Sequence, residues 1–184
     1  MFDILCVTNR KLCQKDFLVR IEEIAKCKPA GIILREKDLS ETEYKELAVK
    51  VMKICERYEV PCILHSFTKA AIELQAKALH VSLPVLDTMT DEEKKTFTML
   101  GASCHSIEDA RKAKKKGCTY IVAGHIFATD CKKGVPPRGL EFLQEVCQTV
   151  DIPVYAIGGI REENMPLVRE AGAVGGCMMS GLMR

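Results

Sequence analysis

Long apolar runs are missing from this chain of 184 residues. No stretch approaches the ~20 apolar residues that a membrane-spanning helix needs. The start lacks the charged-then-apolar form of a secretion signal, so the expected location is the cytoplasm. A dominant charge is missing too: 27 Lys and Arg stand against 25 Asp and Glu, for a net charge of +2. A nucleic-acid binder needs a strongly basic surface, and neither a basic stripe nor a helix-turn-helix pattern is present. Neither nucleic acid nor membrane is therefore an expected partner. Closely spaced cysteines are also lacking. The ten cysteines include no Cys-x-x-Cys pair, the spacing that structural zinc sites favour. Several lie among apolar neighbours, as in Ile4-Leu5-Cys6-Val7 and Pro61-Cys62-Ile63-Leu64, where a thiol behaves as a small hydrophobe. Reduced, mostly structural cysteines are expected. There is no low-complexity segment.

What the chain has is one phrase repeated: a short β-branched run, a polar loop, then an amphipathic helix. The runs predicted as strands are Asp3–Val7, Gly31–Leu34, Cys62–His65, Ala78–Val81, Gly101–Cys104, Thr119–Ala123, Pro153–Ile157 and Gly175–Met179. Between them, Phe17, Ile21 and Ile24 share a helical face, as do Leu47, Val51, Ile54 and Tyr58, and later Leu140, Leu143, Val146 and Val150. Ser40 with Glu43, Thr90 with Glu93 and Ser106 with Asp109 mark helix starts. With 47% hydrophobic residues the chain can bury one good core, so residues 1–184 are expected to be a single domain.

Eight strands alternating with helices predict an α/β fold, a single (β/α)8 barrel. The rival, a doubly wound open sheet, wants a Gly-x-Gly-x-x-Gly turn after the first strand, where this chain has Thr8-Asn9-Arg10. Only Gly181-Leu182-Met183-Arg184 follow Ser180, so the eighth helix should be truncated or missing. Uncovered apolar strand is costly in water, and a homodimer that covers the gap is expected.

In such a barrel the chemistry lies at the carboxyl ends of the strands. Residues 33, 35 and 37 share a strand face, which sends Arg35 and Lys37 into the mouth. Two cations on one strand tip repel unless an anion sits between them, or unless neighbouring Asp or Glu pair with them. The four histidines, His65, His80, His105 and His125, fall at or just beyond strand ends. No consistent second ligand stands close to them, so no metal site is expected. His105 and His80 read as structural. His125 shares parity with Ile121 and Ala123 and opens the loop Gly124–Gly139, which makes it the candidate catalytic acid/base. Gly158-Gly159 and Ser180-Gly181 follow the last two strands, where glycines admit a phosphate close to the backbone.

Ile33-Leu34-Arg35-Glu36-Lys37-Asp38, the Gly124–Lys133 loop, Ala156-Ile157-Gly158-Gly159-Ile160 and Met179-Ser180-Gly181 together resemble the thiamine phosphate synthase/TenI superfamily of (β/α)8 barrels. The resemblance covers essentially the whole chain and implies one of two branches. Synthases couple a hydroxymethylpyrimidine pyrophosphate to a thiazole phosphate and hold Mg2+ on aspartates after strands three and four. At those places this chain has His65-Ser66 and Val81-Ser82-Leu83-Pro84, with Asp87 nearby but outside the matched motif. The TenI branch lacks those carboxylates, and its loop carries the histidine that stands here as His125. That branch includes thiazole tautomerases.

The favoured expectation is accordingly an isomerase that tautomerises a carboxythiazole phosphate, with no metal or organic cofactor. His125 would move the proton, Arg35, Lys37, Thr129 and Lys132 would bind the substrate, and Gly158, Gly159, Ser180 and Gly181 would cradle the phosphate. The alternatives are thiamine phosphate synthase with relocated metal ligands, and a non-catalytic binder of thiazole or thiamine phosphates. Cys131, where synthases usually have threonine, carries no assigned role.

Overall fold

Each of the eight runs expected as a strand is a strand in a computed structural model of the chain, which describes residues 3–129 and 134–184. They are β1 (Asp3–Val7), β2 (Gly31–Leu34), β3 (Cys62–His65), β4 (Ala78–Ser82), β5 (Met99–Cys104), β6 (Tyr120–Gly124), β7 (Val154–Ile157) and β8 (Gly175–Met178). All neighbours pair in parallel, and β8 pairs back onto β1, closing the barrel. The doubly wound alternative is thereby excluded.

The helices cover the outside: α1 (Phe17–Lys26), α2 (Glu41–Arg57), α3 (Thr68–Glu73), α4 (Leu83–Thr88), α5 (Asp91–Lys95), α6 (Ile107–Lys115), α7 (Gly139–Thr149), α8 (Met165–Glu170) and α9 (Ser180–Met183). The expected starts hold for local reasons. Ser40 and Thr90 form reciprocal capping boxes with Glu43 and Glu93, which satisfy backbone N–H groups that a first turn leaves open. Ser106 accepts from the Asp109 amide at 3.0 Å, while the Asp109 carboxylate reaches back to the His105 amide at 2.8 Å. No described helix is long and apolar enough to cross a membrane.

Strand alternation divides the apolar residues into two groups. One parity packs under the helices, for example Ile32, Leu34, Leu64, Leu79, Ile121 and Ala123. The other fills the barrel, with Leu5, Ile33, Ile63, Tyr120 and Tyr155 among its members. Gly101 makes room there, because a Cβ on it would lie 2.1 Å from the Tyr120 ring. The nine described cysteines are all free, and five of them are buried.

The eighth helix is the single turn α9. Its Met183 is fully buried. From α1, the Arg20 guanidinium donates to the Leu182 carbonyl at 2.7 Å and to the Arg184 carbonyl at 2.8 Å. A cation on the last carbonyls of so short a helix satisfies acceptors that nothing within the helix can reach.

Candidate functional site

The tip of β2 is fixed from two sides. Thr8, fully buried, donates from its hydroxyl to Glu36 at 2.7 Å and accepts from the Arg35 amide at 2.9 Å. Glu36 also accepts from the Arg10 amide at 3.0 Å and from the Arg10 guanidinium at 3.0 Å. Asp38 accepts from both arms of the Arg10 guanidinium, at 2.7 Å and 2.8 Å, and takes the Lys11 ammonium at 2.9 Å. Hydrogen bonds from Arg10 and Lys11 hold the Asp38 carboxyl below its ordinary range. The carboxylates that alternate with Arg35 and Lys37 thus face away toward Arg10 and Lys11. Among the described residues neither Arg35 nor Lys37 forms an ion pair. Partial burial, and next the charge of Arg35, push the Lys37 ammonium below its ordinary range.

Beside this tip, Tyr44 of α2 joins two strand ends. Its hydroxyl donates to the Leu34 carbonyl at 2.7 Å and accepts from the His65 amide at 2.8 Å. The ring is fully buried and stacks on Phe67, with centroids 4.2 Å apart. The rings of His65 and His80 stack inside the barrel at 5.7 Å. His80 sits within β4 rather than at its end, with Nδ1 3.0 Å from the Tyr120 hydroxyl and Nε2 2.9 Å from the Ser103 hydroxyl. Desolvation pushes the imidazole of His65 down to about 2 and that of His80 down to about 3. Both rings are therefore neutral at physiological pH.

The parity assigned to His125 needs correction. Ile121 and Ala123 face the helices, and the barrel side of β6 is Tyr120, Val122 and Gly124. The strand ends at Gly124, so its alternation no longer governs the next side chain. His125 reaches the cavity all the same, although it is only 4% exposed. Its Nε2 lies 3.2 Å from the Val135 carbonyl, an acceptor, so Nε2–H donates and pins the far side of its own loop. The loop stem is laced further by Ile126 N to Ile157 O at 2.8 Å, Phe127 N to Gly158 O at 3.0 Å and Arg138 N to His125 O at 2.9 Å. Gly158 takes a φ of +98°, and a Cβ there would lie 2.3 Å from that of His125, so the turn after β7 and the loop after β6 are built against each other. His105 faces the same space, its Nδ1–H donating to the Gly124 carbonyl at 2.8 Å.

These elements enclose a cavity of about 770 Å³ at the carboxyl end of the barrel. Arg35, His125, Thr129, Gly158, Gly159, Ser180 and Gly181, all anticipated from the sequence, line it together. Lys37 does not line it and stands exposed at the rim. Lys132 and Cys131 lie outside the described residues. Sequence reasoning missed Arg161, Arg184 and Asn9, which also line the cavity. Arg161 directly follows the Gly158-Gly159-Ile160 turn, a signal that was there to be read. The described lining holds three arginines and two histidines and no aspartate or glutamate.

That composition bears on the magnesium that the synthase resemblance implies. Mg2+ asks for hard oxygen donors in near-octahedral array. The ends of β3 and β4 offer His65-Ser66 and Ser82-Leu83 instead. Asp87 is held by Lys112 at 2.6 Å and Lys116 at 2.8 Å. Among the described residues no cluster of three or more His, Cys, Asp or Glu could hold a metal ion. The described residues do not fit a bound magnesium.

A family profile described as thiamine monophosphate synthase matches residues 4–182. A thiamine-phosphate synthase of Clostridium acetobutylicum is 34% identical over 188 residues, covering 99% of this chain and 87% of that protein. One of Fusobacterium nucleatum is 34% identical over 184 residues, covering 98% and 88%. Among solved structures, a thiamine phosphate pyrophosphorylase from Pyrococcus furiosus superposes with a TM-score of 0.84 at 27% identity, covering 99% of this chain and 87% of that one. These full-length likenesses overturn the expectation of an isomerase. Relatives matched along the whole chain carry the synthase name, which favours the coupling alternative over a tautomerase. The tautomerase choice leaned on the missing aspartates after β3 and β4 and on the histidine that opens the β6–α7 loop.

Proposed function

The chain belongs to the thiamine monophosphate synthase family, and from that membership we propose that it is a transferase of thiamine biosynthesis, joining a hydroxymethylpyrimidine pyrophosphate to a thiazole phosphate. In this coupling the pyrimidine methylene–oxygen bond breaks, pyrophosphate leaves with the electron pair, and the thiazole ring nitrogen bonds to the methylene carbon. Both substrates are anions. The observation that carries the reading, beside the family match, is a mouth lined by Arg35, Arg161 and Arg184 with no described aspartate or glutamate. Cations held in a partly desolvated cleft attract phosphates far better than the same charges in bulk water.

Arg35 and Lys37 take the pyrophosphate, since the β2 tip leaves both without a carboxylate partner among the described residues. The backbone at Gly158-Gly159 and Ser180-Gly181, with Arg161 and Arg184 beside it, takes the thiazole phosphate. Thr129, on the wall of the same cavity, contacts the substrates. His125 acts as a positioning residue, holding the loop through Val135. A homodimer remains part of the proposal, and light scattering at working concentration tests it, a stable monomer counting against it. Incubation with both substrates tests the activity: thiamine phosphate and pyrophosphate are expected to appear in equal amounts. Absence of both, with the substrates recovered intact, would sink the reading.

A further inference from the structure

We propose that the site grips pyrophosphate without a divalent cation, its negative charge being met directly by the side chains of Arg35 and Lys37. The inference rests on the coupling reading above. In the sheet, Leu34 pairs with Leu64, Leu64 with Leu79 and His65 with His80. One step beyond Leu34, Arg35 comes alongside His65 and His80 at the height where strand ends would have to supply metal ligands. A divalent cation there needs oxygen donors of negative charge. What stands there is a guanidinium, an ammonium and two imidazoles.

Among the described residues, no nearby carboxylate is free to change that. His80 engages Tyr120 and Ser103 with its two nitrogens, and the Nδ1 of His65 lies 2.8 Å from the Ser66 hydroxyl. Burial keeps both rings neutral. Glu36, 3% exposed, is turned onto Thr8 and Arg10, and Asp38 onto Arg10 and Lys11. Asp87 is neutralised by Lys112 and Lys116. An ion of charge +2 beside Arg35 and Lys37 would meet repulsion with no compensating carboxylate among the described residues. Free pyrophosphate reverses that balance. It carries more negative charge than its magnesium complex, and the same two cations attract it more strongly.

Calorimetric titration of the full chain with inorganic pyrophosphate, once in EDTA and once in excess Mg2+, tests this. Binding in EDTA should match or exceed that in Mg2+, and should weaken by about tenfold or more in Arg35→Gln and in Lys37→Gln. Arg35 is partly exposed and Lys37 exposed, so both variants should keep the fold, which circular dichroism checks. Affinity at least tenfold higher in Mg2+ would overturn the inference and leave the coupling reading standing. Unchanged affinity in both variants would overturn it as well. No binding in either buffer would overturn the inference and the coupling reading together.

Discussion

Thr8, Glu36 and Tyr44 never touch the cavity, yet they fix the backbone that does. Tyr44 shows how. Removing its hydroxyl leaves the Leu34 carbonyl and the His65 amide, both now paired at 2.8 Å or less, without a partner in a buried setting. Orphaned buried groups of this kind cost about 1–3 kcal/mol. Tyr44→Phe should therefore lower unfolding stability by about that amount in urea titration, and an unchanged midpoint would refute the bridge. His80 gives a second prediction with a definite sign. Its folded value lies near 3 against an ordinary 6.5, so between those limits the unfolded chain binds a proton that the native chain refuses. Stability then falls as pH falls below about 6.5, by up to about 1.4 kcal/mol per pH unit. The difference in stability between pH 7 and pH 5 should shrink by about 2 kcal/mol in His80→Gln, because the glutamine has nothing to titrate there. Equal pH slopes for the two proteins would contradict a buried neutral His80.

Strands and caps were legible because their signals are local. The repeated phrase of short run, polar loop and amphipathic helix located all eight strands to within two residues, and the Ser40 and Thr90 boxes formed as their spacing implies. The face of α2 was less legible. Of the expected face Leu47, Val51, Ile54 and Tyr58 only Val51 is fully buried, the others packing at its edge, and the buried stripe is Tyr44, Ala48, Val51 and Cys55. Small residues bury easily while adding little to an apolar pattern, and a tyrosine seeking main-chain partners reads as amphipathic. The parity of His125 failed for another reason: alternation holds only while the chain stays in the sheet, and β6 ends at Gly124. The turn after β7 supplies a prediction at this level. Gly158→Ala puts a methyl group 2.3 Å from the Cβ of His125 at a φ of +98°. Left-handed strain alone costs about 1–3 kcal/mol. The variant should lose that stability and bind inorganic phosphate several-fold more weakly, since the β6–α7 loop must shift. Normal phosphate affinity would show that the two loops are not coupled.

The closed barrel, with its reactive end at the strand carboxyl termini, was readable as a whole, and so were Arg35 and the two glycine-bearing turns. The charge of the assembled mouth was not. Arg161 follows β7 and Arg184 follows α9, more than 120 residues along the chain from Arg35, and closure of the barrel brings all three to one cavity. Likewise the sequestration of Glu36 and Asp38 depends on Arg10 and Lys11, more than 20 residues away in the chain. Missing aspartates and one loop histidine pointed to the isomerase branch, while the relatives matched along the whole chain point to a coupling enzyme.

On the coupling proposal, one cationic cavity with no aspartate or glutamate among its described lining residues holds two phosphorylated substrates side by side. Calorimetric titration of thiazole phosphate into protein already saturated with inorganic pyrophosphate tests it most directly. A full equivalent of thiazole phosphate should still bind; displacement of the pyrophosphate, with the thiazole affinity falling in proportion to the pyrophosphate present, would mean a single shared anion site and would contradict it.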